Sequence, residues 1–150
     1  MHYTRHIILA LLIVGSVTYD SSAQSTDSWQ SLSMVTFISE FDADWGIDIQ
    51  VPTFSPIVRA LEGQEITAEG FIIPLTGKVE QSHFMLSRYP QSMCFFCGAA
   101  GPETAMQVFT ANEKKIPYTD EKITVTGILH INDKDVNNPL YTLEDAKVIK

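Results

Sequence analysis

The chain has 150 residues, 18 acidic against 10 basic, and a formal net charge of −8. That length suits one domain with its own core rather than two. The acidic balance repels nucleic-acid backbone and anionic lipid, so nucleic acid is not expected among its partners.

Residues 1–23 have the layout of a secretion signal. Arg5 precedes the apolar run from Ile7 to Val17, and Ser21 and Ala23 supply small side chains before a cut at Gln24. A membrane-spanning helix needs about 20 apolar residues, roughly twice what this run offers. No cysteine stands at the cut, which argues against a lipid anchor. The expectation is a periplasmic or secreted protein with no membrane insertion after signal cleavage.

Residues 24–56 read as an irregular N-terminal arm. The stretch from Trp29 to Phe37 alternates only weakly, Glu40 to Gly46 is acidic and turn-like, and Pro52 and Pro56 argue against a regular helix or a central strand. Trp29 and Trp45 leave two uses open for this arm: packing on the rest of the chain, or docking.

Residues 57–150 read as a β domain. Ile57 to Leu61 predicts one helical turn ended by Gly63. Gln64 to Leu75 is a long strand with Ile66, Ala68, Gly70 and Ile72 on one face, and a glycine at position 70 suits a bend that curls a sheet toward closure. Ser82 to Ser87 sets Phe84 and Leu86 opposite His83 and Met85, and Ala105 to Phe109 is a shorter third strand. Lys122 to Ile131 alternates clearly, with Ile123, Val125, Gly127, Leu129 and Ile131 on one face, and Tyr141 to Ile149 is the last strand. Five strands, one long and bent, with no long helix predict an all-β fold: a small five-stranded barrel like the oligonucleotide/oligosaccharide-binding (OB) fold.

The candidate chemistry sits between the second and third strands. The chain's two cysteines form Cys94-Phe-Phe-Cys97, followed by Gly98 and Gly101-Pro102. Thiolates so spaced converge on one metal ion, at about 2.3 Å from zinc, and glycines allow the tight turn this needs. Beyond the signal only His83 and His130 remain as histidines, and two Cys with two His would complete a tetrahedral site. In a barrel their strands flank the long one, yet the cysteines lie beyond the far end of the His83 strand. Met93, Met106 and Glu103 are alternative donors, thioethers favouring copper and a carboxylate zinc. Two other readings of the pair stay open: an inert disulfide, usual in exported chains, and a redox pair, although nothing around Cys94 matches the βαβ setting of thioredoxin. No phosphate loop, Gly-x-Ser-x-Gly or His-Glu-x-x-His is present, so no catalytic residue is assigned.

Pro52-Thr-Phe-Ser-Pro56, Leu61-Glu-Gly63, Gly70-Phe-Ile-Ile-Pro-Leu75, His83-Phe-Met-Leu86 and Tyr89-Pro90 followed by Cys94 occur in that order. In this the chain resembles a family of small exported bacterial proteins without assigned function, over roughly Trp29 to the last strand. Members often carry Cys-x-His and a proline run after the Tyr-Pro; here Cys94-Phe-Phe-Cys97 and Gly-Ala-Ala-Gly-Pro stand instead, which keeps two donors together but puts a histidine's role in doubt. The resemblance implies a barrel-like accessory protein, with an envelope or membrane transport protein as partner. The sequence therefore points to an exported accessory domain whose ligand is a metal ion, zinc or copper, held by Cys94 and Cys97 with His83 or His130 completing the shell. The alternative is an interaction module with a structural disulfide; a thiol-disulfide oxidoreductase is the third reading.

Overall fold

The computed structural model describes residues 28–135 and 137–149. The expected signal, residues 1–23, lies outside them. In chain order the elements are helix α1 (Trp29–Leu32), strands β1 (Val35–Asp42) and β2 (Ile47–Phe54), helix α2 (Pro56–Arg59), then strands β3 (Glu65–Ile73), β4 (Glu80–Gln81), β5 (His83–Ser87), β6 (Ala105–Thr110), β7 (Ile116–Pro117), β8 (Ile123–Ile131) and β9 (Tyr141–Val148).

Alternation decides the barrel wall. Ile66, Ala68 and Ile72 of β3, Phe84 and Leu86 of β5, and Ile123, Val125 and Leu129 of β8 turn to one side, where they are buried with Met106, Val108 and Leu143 in a single core. Each large apolar side chain so buried stabilises the fold by about 1.5–3 kcal/mol. The strands close in the order β3-β5-β6-β9-β8, every pairing antiparallel except β6 with β9. This is the order and polarity of the OB fold, the all-β barrel that the alternation predicts.

β3 is long because it serves two neighbours in turn. Glu65 to Gly70 pair with β8, and Phe71 to Ile73 pair with β5. Gly70 sits at the switch, where a Cβ would lie 2.5 Å from the Ser87 carbonyl oxygen and 3.0 Å from Leu86 Cγ. Only a residue without a side chain lets the two strands close up there.

The N-terminal arm is not irregular. β1 and β2 form a regular antiparallel hairpin, in register from Val35 opposite Phe54 to Asp42 opposite Ile47, turned at Gly46 with φ 67°. The prolines that argued against this are accommodated by position. Ser55 N–H donates to the Met34 carbonyl, so Met34 and Ser55 are a hydrogen-bonded pair, and by alternation Phe37 and Pro52 are not. The N–H that Pro52 lacks would have pointed away from β1. Pro56 opens α2 at a position that needs no N–H, and the Ser55 side chain caps that helix by accepting from Val58 N–H at 3.3 Å.

The arm also covers a gap in the barrel. Since β5 meets β3 only from Phe71 onward, the other edge of Glu65–Gly70 is open. Ser28 Oγ donates there to the Thr67 carbonyl at 2.6 Å and Trp29 Nε1 to the Glu69 carbonyl at 2.8 Å. Trp29, Leu32, Phe54 and Val58 join the core, and the buried Tyr141 hydroxyl donates to the Leu32 carbonyl at 2.6 Å. Of the two tryptophans, Trp29 is 1% exposed and packs on the barrel, whereas Trp45, beside the hairpin turn, is 70% exposed.

Candidate metal centre: a two-cysteine turn outside the barrel wall

The chain leaves β5 at Ser87 and re-enters the wall at Ala105 through three 3-10 turns, the last at Pro102–Thr104 and the first two at Gln91–Met93 and Phe95–Cys97. Cys94 lies between the first two in extended geometry. Cys97 N–H donates to the Cys94 carbonyl at 3.1 Å, Gly98 N–H donates to the Phe95 carbonyl at 2.9 Å, and Gly98 ends the turn in the left-handed region at φ 74°. Glycine tolerates that φ without Cβ strain, so the knuckle geometry expected from Cys-x-x-Cys-Gly is present.

The two sulfurs are free thiols with unlike surroundings. Cys94 is 1% exposed and packs with Ile73, Met85 and Ala105 on the outer side of the β5–β6 wall, while Cys97 is exposed. Their Sγ atoms are 3.8 Å apart, and the Cys97 thiol also donates to the Gln91 carbonyl at 2.8 Å. The hydrogen bond with the Cys94 side chain, then desolvation and the charge of that neighbour, holds the Cys97 thiol above its ordinary range.

Neither histidine joins them. His83 stacks on Phe109 with ring centroids 4.2 Å apart, its Nε2 lies 2.6 Å from Gln107 Nε2, and burial lowers its pKa. His130 is held at the other end of β3, its Nδ1 3.0 Å from Glu62 Oε1 and its Nε2 3.6 Å from Glu144 Oε2. Register explains the separation: His130 lies past the Glu65 end of β3 and His83 past the Ile73 end. The nine residues between those ends are roughly 30 Å of strand at about 3.3 Å each. Among the described residues no three His, Cys, Asp or Glu side chains come together as a metal site, so the expected two-Cys, two-His set is not assembled. Of the alternative donors, Met106 is sealed in the barrel core, Glu103 folds back against Gly101, and Met93 is exposed beside Cys94.

The two rings between the cysteines stay exposed. Phe95 and Phe96 meet edge to face at 5.3 Å and line a cleft of about 810 Å³. Its other apolar walls include Val51 and Pro52 of β2, Met85 of β5 and Leu140, and its rim carries Glu40, Asp133 and Asp135. The hairpin wall of this cleft was not anticipated. The signal was present as Ile47, Ile49 and Val51 at alternate positions, but the prolines masked the strand.

Fold and site together define a small closed β-barrel that carries an exposed two-cysteine turn outside its wall. No family model and no curated protein matches the chain. Among solved structures it is similar to a DUF3299 family protein from Pseudomonas aeruginosa PAO1, at 20% identity, covering 63% of this chain and 67% of that chain with a TM-score of 0.44.

Proposed function

We propose that the protein is an exported metal-binding accessory domain in which Cys94 and Cys97 are paired thiolate donors for zinc or cuprous copper. The observation that carries this reading is the 3.8 Å separation of the two sulfurs. Two bonds of about 2.3 Å meeting at a tetrahedral angle place their sulfurs about 3.8 Å apart. The pair therefore needs no backbone movement to take up an ion. One sulfur is anchored in an apolar cluster and the other faces solvent, which leaves the ion accessible to donors from outside. With no third donor supplied by the described residues, the rest of the shell is water, a partner or a cargo molecule, as suits a protein that passes metal on. Soft sulfur donors select zinc and cuprous copper over magnesium or calcium.

Thiol–disulfide catalysis fits less well. An attacking cysteine needs thiolate character near neutral pH, yet the exposed Cys97 is the thiol whose pKa is raised.

The test is a metal titration of the reduced protein against a chromophoric chelator, for zinc and for cuprous ion separately. One equivalent bound by the native protein and none by Cys97→Ser is expected. Equal uptake by the Cys97→Ser variant, or no uptake by the native dithiol, overturns the reading. Facile cycling of the pair against a dithiol reagent, without metal uptake, would favour the redox alternative.

A further inference from the structure

The β1–β2 hairpin is built unlike the rest of the protein. The barrel sheet closes on itself, but the hairpin is a two-stranded sheet with no further strand beside it, so each of its strands presents an outer edge. The register distinguishes those edges. Because Ser55 N–H donates to the Met34 carbonyl, the pairs Val35–Phe54, Phe37–Pro52, Ser39–Gln50 and Phe41–Asp48 turn their N–H and C=O groups outward. On β2 that row is interrupted at Pro52, which has no N–H, and Gln50 and Pro52 line the cleft. On β1 the row runs unbroken through Val35, Phe37, Ser39 and Phe41. No backbone or side-chain hydrogen bond among the described residues uses it.

The chemistry beside that edge is equally one-sided. Ile38, Phe41, Trp45 and Ile47 are large apolar side chains about half exposed or more, reaching 68% at Phe41 and 70% at Trp45. Glu40, Asp42, Asp44 and Asp48 stand among them, and no Lys, Arg or His occurs anywhere from Ser28 to Val58. An apolar surface of this kind marks an interaction site, and its charge selects the partner. A second copy of this chain, paired edge to edge, would bring two such acidic hairpins together with no cation in either. An anionic membrane is repelled for the same reason.

We propose that the outer edge of β1, Val35 to Phe41, is a strand-addition site for an extended segment of a partner protein that alternates apolar and basic residues. The segment's backbone pairs with the free N–H and C=O groups, its apolar side chains cover Phe41 on one face of the hairpin, and its cations meet Glu40 and Asp42 on the other. This inference is independent of the cysteine pair.

The probe is a capped eight-residue peptide of alternating valine and lysine, labelled for fluorescence anisotropy and titrated into the full protein. Ser39→Pro removes one outward N–H of β1, and Gln50→Pro removes the N–H directly across the hairpin on the other edge; neither touches the internal ladder, as native Pro52 shows is tolerated. Strand addition predicts that Ser39→Pro weakens binding by at least about tenfold, that Gln50→Pro leaves it unchanged, and that added salt weakens it. A second measurement needs no variant: methylating the peptide's own amide nitrogens at alternate residues must abolish binding to the native protein. Absence of binding up to about 1 mM peptide, binding indifferent to Ser39→Pro, or undiminished binding of the methylated peptide overturns the proposal. So does a dimer of the protein that Ser39→Pro dissociates, which would put a second copy on the edge, or tight binding to phosphatidylcholine vesicles, which would assign the exposed rings to lipid.

Discussion

Replacing Tyr141 by phenylalanine tests how firmly the N-terminal arm is tied to the barrel. The Tyr141 ring is fully buried and sits 5.9 Å from the Phe54 ring, so phenylalanine preserves shape and packing. Only the hydroxyl is lost, and with it the 2.6 Å bond to the Leu32 carbonyl, which joins residues 109 positions apart. A buried carbonyl left unpaired costs about 1–3 kcal/mol. At about 4 °C per kcal/mol for a domain of this size, the melting temperature at pH 7 falls by about 4–12 °C. The pH dependence has a definite sign. Burial, then the charge of Glu103, raises the Tyr141 pKa in the folded state. Stability from this group is therefore complete below the unfolded value near 10 and is lost as pH rises above it, because only the unfolded phenol ionises. At pH 11 that loss is about 1.4 kcal/mol for the native chain and absent for Tyr141→Phe, so the gap between them narrows. Thermal melts at pH 7 measure the first quantity and paired urea titrations at pH 7 and pH 11 the second, both followed by circular dichroism. A variant that melts within about 1 °C of native at pH 7, or a gap that widens at pH 11, refutes the claim that this hydroxyl fastens the arm.

Gly70→Ala places a Cβ 2.5 Å from the Ser87 carbonyl oxygen at the point where β3 changes partners, and backbone there has little freedom to retreat. A loss of about 1–3 kcal/mol in urea unfolding is expected, and a neutral variant would show that the barrel closes less tightly than described. Metal affinity should rise with pH through the neutral range, by about tenfold per unit for each thiol proton displaced, because the raised pKa of Cys97 keeps that thiol protonated. Competition titrations at pH 6, 7 and 8 check this, and a flat profile would exclude Cys97 as a thiolate ligand.

The barrel was legible in the sequence because its strands obey a period of two over five to nine residues. Ile66, Ala68 and Ile72 could be placed on one face without a structure, and Gly70 could be read as the bend. The hairpin was not legible, since a proline counts against a strand unless the direction of its missing N–H is known. That direction depends on the register between β1 and β2, which no local pattern encodes. The site divides in the same way. Cys94 and Cys97 lie within one turn, so spacing alone brought their sulfurs together. His83 and His130 lie on two different strands, and only the registers of β5 and β8 against β3 reveal that they occupy opposite ends of it.

Closure of the barrel also explains where the candidate functional surfaces lie. A closed sheet uses its backbone groups internally and its inward side chains for the core, so recognition falls to outward side chains and to segments added to the wall. Both candidate sites are accordingly carried by segments added to the wall: the excursion from Arg88 to Thr104 and the hairpin from Val35 to Phe54. They face one another across the cleft lined by Phe96, Val51 and Pro52. Each is rooted in buried contacts, the first through Cys94 on Met85 and the second through Phe54 in the core, while Cys97 of the first and Phe41 of the second stay exposed. Loosening a root should therefore impair the corresponding site without opening the barrel. In a paired experiment, Tyr141→Phe weakens peptide binding at the β1 edge and leaves metal uptake at the cysteines intact; loss of both together would show that the arm and the cysteine turn are one cooperative unit rather than two.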